Sequence, residues 1–461
     1  MGEEPLKGSI QENAAEEAIV VDVAEILKRG LLEMHFQPIT SVRRGNVVGV
    51  EALARARNEE GQEVSPLVLF RQAQEQNVAQ KLDECCQTLA LQAFAPLHRV
   101  SPQLLLFVNV DPVSLAELDG ERVSFLQDKA HTIGIDPQNV AVEILESRFP
   151  NIDGLKLAVA QYRKTGFLVV LDDIGTGDSN LDRITYVQPD IIKADRSLIK
   201  GIGRDFYKQE VFKALVQMAE RIGGWVITEG IETREDALTA LDLGGDLLQG
   251  FYLGRPEKLP DGGAAAEATL RKGEKHVRET GIDFKRHSVA KILKERAVRD
   301  ERLTAVRRVR EVLEQIPADE TEDVLCRTIA AFPFVESAAV LDDTGVQITD
   351  AILARGQFER AKSVFYAPPG KGSSHALKEY FYLLLEVPLH EFESQPYVPL
   401  PNTDLCITVS TRYRTQDGAM RILCLHTLIE RGVMRSDPMT RLIAADGPEV
   451  PRRTDAGLSK V

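Results

Sequence analysis

Eight short apolar runs, spaced by longer amphipathic stretches, constrain the fold of this chain more than any other feature. The runs are His35–Ile39, Val47–Leu53, Leu104–Val110, Val140–Leu145, Phe167–Asp173, Tyr186–Asp195, Trp225–Ile231 and Leu247–Leu253. They are rich in Val, Ile, Leu and Phe. Several lack the polar alternation of a strand with one wet face, which is the pattern of strands buried on both sides. The stretches between them read as helices. Ser65-Pro66 places Pro at a first helical position. Leu155 to Lys164 is amphipathic and stops at Gly166, and Phe206 to Ile222 stops at Gly223-Gly224. Thr233-Arg-Glu-Asp236 is a capping-box pattern opening a helix that ends at Gly244. Strands alternating with helices in this number predict a TIM-type (β/α)8 barrel. The rival, a doubly wound open sheet, lacks the Gly-rich dinucleotide loop after its first strand.

The barrel is expected over residues 23–262, after a polar, acidic arm at 1–22. Residues 263–316 read as a linker and connecting helix, with a Gly/Ala/Lys-rich linker at 260–275 and a long helix from His287 to Ile316. Residues 317–433 have a different texture. Val335–Leu341, Asp342-Asp-Thr-Gly345 and Val346-Gln-Ile348 predict a hairpin, and Leu405–Thr411 and Met420–Thr427 two further strands. This is a smaller α+β domain, followed by a loose tail at 434–461.

The charge balance limits the partners. Lys plus Arg is 56 and Asp plus Glu is 70, a formal charge of -14. General affinity for duplex nucleic acid or acidic lipid is not expected. A phosphodiester can still bind if cations are held locally. Nothing approaches the ~20 apolar residues of a membrane span, and Met1 to Glu17 has no apolar signal core. The five cysteines suit neither a disulfide framework nor a zinc site. A cytoplasmic location with free thiols is the expectation.

In a barrel of this kind, functional groups come from the C-terminal ends of different strands. Glu51, Asn109, Glu143, Asp172-Asp173, Lys193 with Asp195, Glu229 and Gln249 lie at or near the ends of successive runs. Any one of these acids, taken alone, is best read as a solvated loop residue. Together they would crowd at the barrel mouth, where like charges repel unless cations neutralise them. Oxygen ligands of this kind suit Mg²⁺ or Mn²⁺. The pair Asp172-Asp173 could serve two ions in an in-line displacement at phosphorus. Lys193 could stabilise charge on the phosphoryl oxygens, form a salt bridge to the acids, or do both.

On these residues the chain resembles the EAL domain family. Glu51-Ala-Leu-Ala-Arg55, preceded by Gln37-Pro38-Ile39, matches the signature that names it. The resemblance continues in family order through Val108-Asn109-Val110, Val142-Glu-Ile-Leu-Glu146, Leu171-Asp-Asp-Ile-Gly-Thr-Gly177, Ile192-Lys-Ala-Asp195, Thr228-Glu-Gly-Ile-Glu232 and Gln249-Gly-Phe-Tyr-Leu253. It implies hydrolysis of cyclic di-GMP to linear pGpG with two divalent metals. By the same resemblance Glu51, Asn109, Glu143 and Asp172 ligate the first ion. Asp172 bridges to the second, which Asp173 also holds. Glu229 stands at the reacting water as ligand or base. Lys193 orients that water or stabilises the transition state. Gln37, Arg55 and Gln249 contact substrate, with Asp195 beside them. Glu146 anchors the loop after the fifth strand, and Glu232 is an additional acid. That loop departs from the family pattern at Ile174, Asp178 and Asn180, and Leu145 stands where Thr is common.

Residues 317 to 430 resemble PAS-like or Cache-like sensor domains through Ala338–Gly345, Lys378-Glu-Tyr-Phe381, Tyr397-Val398 and Asp404–Ser410. A small-molecule sensor and a ligand-free dimerisation domain are both open, and a homodimer is expected. For the barrel the rival to an enzyme is a silent cyclic di-GMP receptor acting through a partner. The retained acids favour the enzyme.

Overall fold

The structure, a computed structural model, describes residues 21–110, 121–145, 152–175, 182–260, 262–353, 369–387, 389–397 and 405–429. Chain contacts divide it into two units, Met1–Arg286 and His287–Val461.

The first unit is the barrel. Its strands are β1 (Leu32–Ser41), β2 (Asn46–Arg57), β3 (Glu63–Val64), β4 (Leu105–Val110), β5 (Val140–Leu145), β6 (Leu168–Ile174), β7 (Ile191–Ala194), β8 (Trp225–Thr228) and β9 (Leu247–Gln249). They pair in the order β1-β9-β8-β7-β6-β5-β4-β2, and β1 pairs with β2 to close the ring; β3 is a short outer addition to β2. The closure rules out the open sheet. Burial on both faces explains the absent alternation: Val140, Ala141, Val142, Glu143 and Ile144 are all fully buried. The outward-facing aliphatics pack under the surrounding helices in one large core.

Three expectations need adjusting in this unit. β1 is antiparallel to both neighbours, whereas the other ring pairings are parallel. Only four residues separate β1 from β2, too few for a crossover helix, so the chain turns back as a hairpin. The run Tyr186–Asp195 is not one strand. Asp182–Val187 is helical and the strand is confined to Ile191–Ala194, because Pro189 ends the helix and the strand must start at the barrel floor. The expected linker at 260–275 is helical from Gly263 onward, and one helix runs continuously to Leu313. Its Ala and Lys content favours helix, and the glycines are tolerated where tertiary contacts support them. Gly273, for instance, faces Val47 across a tight approach.

The N-cap half of the expected capping box forms. Thr233 Oγ1 accepts from Asp236 N at 3.1 Å and opens the helix Arg234–Asp242. The Thr233 hydroxyl also donates to Asp236 Oδ2 at 2.7 Å.

The second unit carries a five-stranded antiparallel sheet of order β11-β10-β14-β13-β12. Its strands are β10 (Val335–Leu341), β11 (Ile352–Leu353), β12 (Glu391–Glu393), β13 (Cys406–Arg414) and β14 (Met420–Leu428). Helix Glu379–Glu386 packs Phe381 and Leu384 against Leu341, Ile422 and Cys424. The turn at Asp342–Gly345 forms as expected: Asp342 Oδ1 accepts from Thr344 N and Val346 N, and Gly345 has φ 84°. The strand expected at Val346–Ile348 does not form. The chain returns beside the end of β10 through a Leu341–Gln347 bridge and a bond from Ile348 N to Val340 O, but Val346 and Gln347 also pair with Ser374 and Ser373, so no continuous ladder forms.

The expected arm and tail lie largely or wholly outside the described residues. Among the described residues no helix is long and apolar enough to cross a membrane.

Candidate active site

The site is the polar layer above an apolar plug. Ile39, Phe107, Ala141, Val170, Ile191, Ile227 and Leu247 fill the barrel interior with one side chain from each of seven strands. Side chains on a strand alternate in direction, so the next inward position is two residues on. Two residues nearer the mouth stand Asn109, Glu143, Asp172, Lys193, Glu229 and Gln249. Because β1 runs the other way, its equivalent is Gln37, two residues before Ile39. β2 supplies Glu51 two residues after Gly49. A Cβ at Gly49 would meet Leu105 O at 2.7 Å and the Phe107 ring at 2.8 Å, so the plug has no room for a side chain there.

Lys193 is the centre of this layer. Its Nζ lies 2.5 Å from Glu229 Oε1, 3.0 Å from Glu143 Oε1, 3.4 Å from Glu51 Oε2 and 3.5 Å from Asp172 Oδ2. The ammonium is buried at 1% exposure. Asn109 Nδ2 donates to Glu143 Oε2 at 3.0 Å and to Glu51 Oε1 at 3.4 Å. Gln249 Nε2 donates to Glu51 Oε2 and to Gln37 Oε1, and Gln37 Nε2 donates to Gly254 O.

Four ionised carboxylates against one ammonium would leave three negative charges in a buried space. The protonation equilibria register this excess. Burial, then the charge of Glu51, pushes Glu143 well above the carboxylate range. Burial also raises Asp172, against the pull of Lys193, and lifts Glu229 to about 8. Burial acts on Glu51 as well, but the Lys193 charge and the Gln249 hydrogen bond outweigh it and the net shift is downward. Burial opposes the Lys193 charge, yet its four carboxylate neighbours hold it well above its ordinary value. Without a further cation the cluster must carry protons; with one, it can release them.

Asp173 follows at φ 60°, a left-handed conformation uncommon outside glycine. Its N donates to Asp172 Oδ1 at 2.8 Å. Carboxylate oxygens of Asp172, Asp173 and Glu229 all lie within 4.8 Å of one another. Hard oxygen donors at this density suit a divalent cation.

The remaining expected residues are placed as follows. Arg55 is half-buried on β2 and donates to Ala54 O. Asp195 caps the short helix Arg196–Ile199 by accepting from Ser197 N at 2.7 Å. Glu232 is exposed and paired with Arg196 at 2.6 Å. Glu146 and residues 176–181, including Asp178 and Asn180, lie outside the described residues. Sequence reasoning missed Gly49 and Arg196. A glycine interrupting an apolar strand was the available signal for the first; the second had none.

The family model described as EAL domain matches residues 20–256, just over half of the chain. The chain belongs to the EAL domain family. One relative, the probable cyclic di-GMP phosphodiesterase PdeB of Escherichia coli, is 30% identical over 202 residues, covering 43% of this chain and 38% of that protein. An uncharacterised protein of Azorhizobium caulinodans is 28% identical over 231 residues, covering 49% of this chain and 31% of its own. This chain therefore spans only about a third of the length of these curated relatives. Among solved structures, the Bacillus subtilis YkuI protein, with an EAL domain and in complex with substrate c-di-GMP and calcium, superposes with a TM-score of 0.71. It is 22% identical, and the match covers 89% of this chain and 100% of that one; the likeness is one of fold.

Proposed function

We propose that this EAL protein hydrolyses cyclic di-GMP to linear pGpG in a reaction that depends on two divalent ions, Mg²⁺ or Mn²⁺. The observation that carries the reading is the convergence of Glu51, Asn109, Glu143, Asp172, Asp173 and Glu229 around Lys193 at the barrel mouth. The names of relatives support the substrate: PdeB is called a probable cyclic di-GMP phosphodiesterase, and YkuI was solved with c-di-GMP.

The donor set fits the ions. Glu51, Asn109, Glu143 and Asp172 would hold the first, with Asp172, Asp173 and Glu229 around the second. Asn109 turns its amide nitrogen to the acids, which leaves its oxygen as the ligand atom. Bound divalent ions would supply Lewis-acid polarisation of the phosphoryl oxygens and a nucleophilic water at neutral pH. The protein contributes the rest. Lys193 carries a positive charge that can stabilise the negative charge growing on the phosphoryl group. Glu229, at the edge of the layer, would accept a proton from the attacking water. Arg55 is the cationic group proposed to meet the substrate, and Asp195 and Glu232 rigidify the mouth through a helix cap and an Arg196 ion pair.

The second unit is proposed as a PAS-like or Cache-like regulatory domain. Its support is the single antiparallel sheet with a helix packed on one face. Homodimerisation and a cytoplasmic location belong to the same proposal.

Incubation of the purified chain with cyclic di-GMP and Mg²⁺ or Mn²⁺, with nucleotides resolved by chromatography, tests the reading. Appearance of pGpG, lost in Glu51→Ala and Glu229→Gln, is the expected result. Tight binding without turnover would establish the receptor instead.

A further inference from the structure

Gln37 and Gln249 face inward; the Gln37 amide is engaged at both ends, whereas the Gln249 nitrogen is engaged and its carbonyl oxygen has no hydrogen-bond partner among the described residues. Gln249 is 3% exposed and Gln37 is 8% exposed. The two stand where the barrel closes: Gln37 is opposite Glu51 in the β1–β2 register, and Gln249 is opposite Ile39 in the β1–β9 register. Hydrogen bonds run through them in one direction. Gln37 Nε2 donates to Gly254 O at 3.0 Å. This fixes which end of that amide is nitrogen, so Gln37 Oε1 is left to accept from Gln249 Nε2 at 3.2 Å. The same Gln249 nitrogen then donates to Glu51 Oε2. On its other side Glu51 Oε1 accepts from Asn109. Both carboxylate oxygens are therefore held by amide donors.

The chemistry of the donors matters. A carboxylate steered by Lys or Arg is oriented and neutralised together, and the cation competes with any metal. An amide orients the carboxylate without neutralising it, and the Lys193 ammonium, 3.4 Å from Glu51 Oε2, is shared among four acids rather than dedicated to this one. The β1–β9 seam that carries this relay is only three residue pairs long. The side-chain bond from Gln249 to Gln37 therefore ties the first and last strands of the ring together at the level of the site.

We propose that Gln249, backed by Gln37, is a positioning residue that fixes the Glu51 carboxylate for a divalent cation, rather than a contact for the substrate. The inference rests on the reading of the acid layer as a metal site.

The test separates metal binding from substrate binding. The full chain and its Gln249→Leu and Gln37→Leu variants are titrated with Mn²⁺ by calorimetry without nucleotide. KM for cyclic di-GMP is then measured at saturating Mn²⁺. Loss of a group supporting a metal ligand weakens metal affinity by about 10–100-fold. Gln249→Leu should raise the Mn²⁺ dissociation constant within that range and leave KM within about threefold. Gln37→Leu should do the same more weakly, and the double variant should be no worse than Gln249→Leu, since the two act in series. A KM raised tenfold with unchanged Mn²⁺ affinity overturns the inference and makes these amides substrate contacts. If Gln249→Leu fails to fold, Gln37→Leu alone decides by the same two readouts. A wild-type chain that binds no Mn²⁺ defeats the metal-site reading and this inference with it. Wild-type binding with unaltered affinity in both variants defeats this inference alone.

Discussion

Lys193 Nζ and Glu229 Oε1 lie 2.5 Å apart, the shortest of four carboxylate contacts made by one buried ammonium. In the absence of metal this lysine is the only cation among the described residues that reaches all four acids. It acts as a tethered counter-ion that lets the layer stay folded.

Replacing it should make the fold depend on metal. Breaking a buried pair costs about 3–5 kcal/mol, so Lys193→Met should lower the melting temperature in EDTA by about 6–20 °C. Added Mn²⁺ should recover more of that loss in the variant than it adds to the wild type, and hydrolysis should be absent. Melting curves with and without Mn²⁺ check this. Equal metal-induced shifts in the two proteins would refute the counter-ion role.

Asp173 offers a cleaner removal of charge. Its φ of 60° suits Asn as well as Asp, so Asp173→Asn keeps the backbone and deletes one carboxylate. Turnover should fall by more than about 100-fold, the scale of one lost electrostatic element at a reacting phosphate, while circular dichroism is unchanged. Near-normal rates at saturating Mn²⁺ would remove Asp173 from the metal set.

Gly49 tests the plug beneath the site. Gly49→Ala places a methyl group against the Leu105 carbonyl and the Phe107 ring. Overpacking of this kind costs about 1–3 kcal/mol, read as a lower urea midpoint. Phe107→Leu in the same chain should restore only part of it, because the clash with backbone remains. Full restoration would show that the ring alone sets the limit.

The legible part of this molecule was what period-two burial writes into a strand. Asn109 follows Phe107, Glu143 follows Ala141 and Asp172 follows Val170 by one inward step each, so apolar runs ending in acids gave both the barrel and its mouth. Strand direction leaves no such trace in hydrophobicity. Only the four-residue gap between Ser41 and Asn46 marks β1 as reversed, and it is Gln37, on that reversed strand, that sits before its plug residue rather than after it. Ala-rich and Lys-rich segments such as 263–275 read as linker by composition, although the same residues are the strongest helix formers. The link between Gln249 and Glu51 joins residues far apart in the chain, and no local signal carries it.

The second unit should lose stability in mild acid. His426 Nδ1 lies 2.8 Å from Thr408 Oγ1 and 3.0 Å from the Tyr397 hydroxyl. Burial, and then the charge of His375, lowers its pKa to about 4. In the unfolded chain a histidine titrates near 6.5. Between those values the unfolded state binds the extra proton, so stability falls as pH falls. The contribution is whole above about pH 6.5 and is lost towards pH 4, at up to about 1.4 kcal/mol per pH unit. Hydrogen exchange in Cys406–Arg414 and Met420–Leu428, corrected for intrinsic rates, should show protection falling from pH 7.5 to pH 5. His426→Gln should flatten that dependence, since glutamine can offer an amide to Thr408 and Tyr397 without titrating. An equal pH dependence in the variant would place the acid sensitivity elsewhere in the unit, with His375 the next group to replace.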